Sequence, residues 1–177
     1  MILRITCLLA VAFATSAYAS DLSATGSATA KDGDDLIIDG RGYRLSGIDA
    51  FEERQMCRGD FKQDVACGRM AKAALTGLVA NKQVTCRDTA ERAGKRIVAI
   101  CSIGALDIQE EMVRIGWAFV RPDYAGERTA RLCALEAEAA RARRGGWALW
   151  WSKRPYFAKG GRRKTFEQIS CRHVWAR

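Results

Sequence analysis

Residues 31–52 read KDGDDLIIDGRGYRLSGIDAFE, and their pattern decides how the chain folds. Asp35 to Ile38 and Tyr43 to Ile48 alternate around Asp39-Gly40-Arg41-Gly42. Asp-Gly between alternating segments is a strong hairpin signal, so two antiparallel strands are predicted. The same stretch carries Asp32, Asp34, Asp49 and Glu52, with Arg44 between them. Oxygen-only ligands at short spacing favour Ca²⁺ or Mg²⁺ over softer metals. An arginine fork reaching the same place suits a phosphodiester. A single Asp or Glu is more often a turn former or a surface charge; the joint spacing around Arg44 is what points to a site.

Outward from this hairpin, residues 20–30 are rich in Ser, Ala, Thr and Gly and lead into a first strand, and residues 53–66 form a polar loop. Ala71, Ala74, Leu75, Leu78 and Val79 recur at the spacing of an amphipathic helix. Gln83-Val-Thr-Cys-Arg and Arg96-Ile-Val-Ala-Ile-Cys are strand-like, with a turn expected at Ala93-Gly94. Asp107 with Glu110 opens a helix through Ile115 that Gly116 ends, and a last helix runs from about Glu127 to Arg144, stopped by Gly145-Gly146. Three strands, a helix, two strands and two helices fit an α+β fold: a five-stranded β-barrel of OB type with about three packed helices.

At 177 residues and 49% apolar content the chain has one-domain size and ample material for a core. Its start is different in kind. Met1-Ile-Leu-Arg, an apolar run from Thr6 to Thr15 and Ala17-Tyr18-Ala19 read as a secretory signal peptide over residues 1–19, too short to span a membrane. The mature chain then divides into a domain over 20–154 and a basic extension over 155–177, exported to a periplasm or secreted. No later segment has the makings of a transmembrane helix.

Six cysteines follow the signal, an even count that points to three disulfides among 15 possible pairings, with buried free thiols as the alternative. Cys86 and Cys101 would face each other across the second hairpin. Cys57 and Cys67 close a short loop, which leaves Cys133 with Cys171. Charge is uneven: of 29 basic residues, eleven lie in 141–177, where Glu167 is the one acid. Such a tail attracts polyanions or simply stays solvated. Trp147, Trp150, Trp151, Tyr156, Phe157, Phe166 and Trp175 interleave with it, suited to stacking on bases or to packing on the domain. His173 is the only histidine and is read as structural or solvated; no Ser-His-Asp set, phosphate-loop glycine pattern or zinc-like CxxC occurs.

Asp32-Gly33-Asp34-Asp35, Arg44-Leu45-Ser46-Gly47-Ile48-Asp49-Ala50-Phe51-Glu52, Gly94-Lys95 and Gly116-Trp117-Ala118 occur in the order of the motifs of the thermonuclease family. The chain resembles that family over about residues 28–150. The resemblance implies Asp34 and Asp49 as Ca²⁺ ligands with the backbone carbonyl of Ala50, Asp32 behind them, Glu52 as general base, and Arg44 with Lys95 as the phosphate clamp. It implies a nucleotide contact at Tyr124, and DNA or RNA as partner. The departures are Asp35 for the family's threonine, Phe51 for a proline that stiffens the approach to Glu52, Ala93 for an aromatic residue, Pro122 for a tyrosine, and Lys95 for an arginine.

Lysine supplies a point charge where arginine grips two oxygens. Arg96 is one substitute, although a one-residue step faces the other side of a strand unless a bulge intervenes. Arg92 across the turn is a second. A secreted Ca²⁺-dependent nuclease of DNA or RNA is the leading expectation. A degenerate nuclease-fold protein that binds nucleic acid, an acidic envelope polysaccharide or a protein partner through its basic surface is the alternative.

Overall fold

In a computed structural model, the structure describes residues 23–149 and Cys171. The signal segment 1–19, the extension 155–177 apart from Cys171, His173 and the aromatic residues from Trp150 onward lie outside the described residues.

The first hairpin closes as its turn chemistry predicts. β1 (Ser23–Ala30) pairs antiparallel with β2 (Asp35–Ile38), and β2 with β3 (Arg41–Leu45). Asp39 and Gly40 both take positive φ, 48° and 74°, the conformation of a two-residue turn that matches strand twist. Arg41 and Gly42 therefore belong to β3 rather than to the turn.

The strand expected to run through Ile48 is instead broken. Gly47 turns at φ 75°, a side chain there would meet Ala125 at 2.8 Å, and the chain leaves as β4 (Ile48–Ala50). In the loop that follows, β5 (Cys57–Arg58) and β6 (Asp64–Val65) form a small ribbon ahead of α1 (Cys67–Val79).

The second hairpin is β7 (Gln83–Ala93) with β8 (Arg96–Ile103), and Cys86 stands directly opposite Cys101. β7 pairs with β1, and β8 pairs parallel with β3, Arg44 beside Val98. The order β3-β2-β1-β7-β8 thus closes on itself as a five-stranded mixed barrel. β9 (Leu106–Asp107) extends β8 and leads into α2 (Ile108–Arg114), whose cap is the expected one, the Asp107 carboxylate accepting from Glu110 N at 2.9 Å. β10 (Ala118–Val120) pairs with β4. A single turn, α3 (Pro122–Ala125), then precedes α4 (Thr129–Arg141), shorter at both ends than the periodicity indicated.

Leu36, Leu45, Leu75, Val84, Ile108, Met112 and Leu132 share one core between barrel and helices, each with essentially no exposure. Burial of each large member stabilises by about 1.5–3 kcal/mol. Among the described residues Cys57–Cys67, Cys86–Cys101 and Cys133–Cys171 form disulfides, the first two as spacing and hairpin pairing indicated and the third as elimination left it. Each typically contributes about 2–4 kcal/mol by restricting the unfolded chain. Among the described residues no helix is long and apolar enough to cross a membrane.

Candidate functional site

Where β3 gives way to β4, a cleft of about 600 Å³ opens between the two barrel hairpins and the turn after β10. Asp32, Asp35, Arg44, Asp49, Glu52 and Arg96 are on its wall, together with Arg92, Arg121 and Tyr124. The acidic wall is built by close backbone contact. A side chain on Gly33 would lie 2.6 Å from the Ala50 Cβ, so the Asp32-Gly33-Asp34 turn rests against β4. Asp34 lies beneath, where its carboxylate accepts from Ala50 N at 3.1 Å. Asp32 is turned back on its own loop, accepting from Gly33 N at 2.8 Å.

Arg44 joins the two buried aspartates. Its Nη1 donates to Asp34 Oδ1 at 3.2 Å and its Nη2 lies 2.7 Å from Asp34 Oδ2, while Nη2 also donates to Asp49 Oδ1. Burial pushes the Asp34 carboxyl well above the ordinary aspartate range against the pull of Arg44, and the neighbouring Asp49 charge pushes it further. Asp49 is raised by burial too, opposed by Arg44 and Arg121, and Asp32 is raised chiefly by burial. Burial alone would lower Arg44, yet the Asp34 and Asp49 charges raise it, so the guanidinium stays charged. Two buried carboxylate oxygens, Asp35 Oδ1 and Asp49 Oδ2, have no hydrogen-bond partner among the described residues.

The basic side differs from the sequence reading at one position. The β7–β8 turn is Gly94-Lys95, one residue later than expected, because β7 holds two more residues than β8 between Asp88 and Arg92, with Ala90 at φ 64°. Lys95 therefore sits exposed at the hairpin tip and is not among the cleft residues. Arg96 takes the place at the cleft: its stem crosses β3 over Gly42, where a side chain would meet Arg96 Cγ at 3.3 Å, and its Nη1 donates to Asp35 Oδ2. Asp35, a departure from the motif, thus carries its own counter-charge. Arg92 reaches the cleft wall while held by both Asp88 oxygens at 2.9 Å. Ala93 lines the cleft as well.

Phe51, where the motif has a proline, is held by packing. It is fully buried and makes edge-on ring contacts with Phe119 at 5.0 Å and Trp117 at 6.4 Å. Trp147 continues the cluster against Phe119. The chain is thereby anchored one residue before Glu52, whose carboxylate is exposed at the cleft.

Arg121 was not singled out from sequence. Its N–H donates to Gly47 O at 2.8 Å, and its guanidinium lies 4.5 Å over the Tyr124 ring, which is half-exposed. The available signal was the i, i+3 spacing of Arg121 and Tyr124 around Pro122 at a helix start.

The carboxylate donors suit a hard cation, and the unpartnered buried Asp49 Oδ2 is the kind of group a divalent ion satisfies. Among the described residues no three His, Cys, Asp or Glu side chains converge as a complete cage. A cation here would complete its shell with backbone carbonyl and water, as Ca²⁺ and Mg²⁺ commonly do. On that basis the residues fit such an ion.

A comparison with curated proteins finds no match. The model of a family described as staphylococcal nuclease homologues matches residues 43–149, a span that takes in Arg44, Asp49, Glu52, both arms of the β7–β8 hairpin and Tyr124. With more than half of its length matched, the chain belongs to the staphylococcal nuclease homologue family.

Proposed function

We propose that this nuclease-fold protein is an exported, Ca²⁺-dependent nuclease that hydrolyses phosphodiester bonds of DNA or RNA. One observation carries the reading: Glu52 lines the same cleft as Arg44, Asp49 and Arg96, with Asp34 paired to Arg44 beneath. Asp34, Asp49 and the Ala50 carbonyl would hold the cation, with Asp32 behind them. When bound, the ion polarises a phosphoryl oxygen and offsets its charge.

Arg44 and Arg96 grip the phosphate and stabilise the negative charge that builds up during attack. Glu52 takes the proton from the attacking water. Tyr124 supports the nucleotide, and Arg92 adds positive potential at the rim. Lys95, at the tip, contributes only at long range. Residues 20–154 form the catalytic domain, the signal 1–19 directs export, and the extension 155–177 draws the polyanion in.

A second reading is favoured by the pairing of Arg44, Arg96 and Arg92 with Asp34, Asp49, Asp35 and Asp88. A cleft so neutralised from within suits a protein that retains the fold and binds a polyanion without turnover. A zymogram of the mature protein with Ca²⁺ and with chelator separates the two. Activity that disappears with chelator and falls about 10²–10⁴-fold in Glu52→Gln supports the nuclease. No cleavage at any Ca²⁺ concentration, with nucleic-acid binding retained, overturns it in favour of the binder.

A further inference from the structure

We propose that the Cys57–Cys67 disulfide and the first turn of α1 form a platform that positions Glu52. The inference rests on Glu52 being the general base. The Glu52 carboxylate is exposed, so its aim depends on how firmly its backbone is held; besides the Phe51 ring before it, the contacts on the far side of Glu52 lead to the start of α1. Glu52 N donates to Gln55 Oε1 at 3.3 Å, and Gln55 N donates back to Glu52 O at 2.7 Å. Gln55 O in turn accepts from Gly68 N at 3.2 Å and lies 3.4 Å from Cys67 Sγ.

Gly68 is essential to the fit. A Cβ there would stand 1.7 Å from the Glu52 carbonyl oxygen, so the helix backbone presses directly on the Glu52 peptide. One residue on, Glu53 is tied to the same helix by Lys72 at 2.8 Å. Beneath these contacts, Ala50, Phe51, Cys57, Cys67, Ala71 and Phe119 form a small core separate from that of the barrel. The disulfide thus joins the far arm of the loop to the helix residue next to Gly68 and seals the core on which Glu52 stands.

In Cys57→Ser/Cys67→Ser the loop keeps its length but loses this tether, and Glu52 samples positions away from the attacking water. Displacement on the order of 1 Å at a reacting group costs about 10²-fold. Asp34, Asp49 and Arg44 are held by their own ion pairs and bind cation and phosphate as before.

The test is steady-state cleavage of a single-stranded oligonucleotide in Ca²⁺ by the mature protein, with Ca²⁺ affinity and thermal unfolding measured alongside. The expected result is kcat down about 10–100-fold, with KM and Ca²⁺ affinity within about twofold. Gly68→Ala, which leaves the disulfide intact and improves helix propensity, should give the same split and serves if the double serine variant does not fold. Cys86→Ser/Cys101→Ser is the control for lost stability alone and should keep its kcat. An unchanged kcat in folded Cys57→Ser/Cys67→Ser or in Gly68→Ala overturns the proposal. So does an equal loss of kcat in the Cys86–Cys101 control. Wild-type kcat in Glu52→Gln would instead overturn the base assignment itself, whatever the loop variants do.

Discussion

Replacing Arg44 by glutamine should have three linked effects with opposite signs. The arginine side chain is 21% exposed, whereas those of Asp34 and Asp49 are 5% and 9% exposed. Removing one partner of a buried ion pair costs about 3–5 kcal/mol because the other charge is left uncompensated. Arg44 is partly solvated, and the two aspartates can relieve their repulsion by holding a proton between them, which puts the expected loss at the lower end, about 3 kcal/mol. That loss belongs to the metal-free protein.

A divalent cation supplies the missing counter-charge, so Arg44→Gln should bind Ca²⁺ about 10–100-fold more tightly than the parent, equivalent to about 1.4–2.8 kcal/mol of the deficit recovered. Turnover should nevertheless fall by about 10²–10³, since the lost donor acts on charge that develops during attack. Urea unfolding in chelator and in saturating Ca²⁺, with a calorimetric Ca²⁺ titration, reads the first two quantities directly. A variant as stable as the parent in chelator and unchanged in Ca²⁺ affinity would refute the view that Arg44 is the counter-ion of a cation site.

Arg96→Ala should reduce cleavage about 10²–10³-fold while Lys95→Ala leaves it within about twofold; the reverse ranking of rates would mean that the hairpin turn lies where the sequence first suggested. Phe51→Ala removes a fully buried ring from an aromatic cluster and should cost about 3–5 kcal/mol in denaturant unfolding; a loss below about 1 kcal/mol would show that the cluster does not anchor β4. In chelator, Asp34 and Asp49 titrate above the ordinary value of 3.8, so the stability they contribute is present below that value and is lost as pH rises through their raised folded values. The urea midpoint of the metal-free protein should therefore rise between neutral and mildly acidic pH, and Ca²⁺ should flatten that rise; a midpoint that falls on mild acidification would contradict it.

What could be read in the sequence was whatever depends on neighbours along the chain. Asp39-Gly40 takes positive φ at both residues, Asp107 caps α2, and Ala71, Leu75 and Val79 face the core from one side of α1. Cys86–Cys101 followed from the same local logic, since the two had to meet once their strands formed a hairpin; Cys133–Cys171 was reached only by elimination. The family's acidic motif was legible for a related reason: its residues lie within twenty-one positions of one another and share one turn and two strand ends.

Direction was harder to read than residue type. A single extra step along a strand reverses the face a side chain points to, and the two added residues of β7 at Thr89–Glu91 lie outside any turn signal. They move the tip from Ala93-Gly94 to Gly94-Lys95, and Arg96 rather than Lys95 faces Asp35. Phe51, which stands where the motif has a proline, shows the complementary limit. Its effect on Glu52 as a local stiffener is less than a proline's, but its partners Trp117, Phe119 and Trp147 come from sixty-six or more residues away. A proline restrains Glu52 through φ, and a buried ring restrains it through packing. The two solutions place rigidity in different parts of the chain. In this one, the orientation of Glu52 depends on the core under the Cys57–Cys67 loop, in which Ala50 and Phe51 of the motif pack against Cys57, Cys67, Ala71 and Phe119 from outside it.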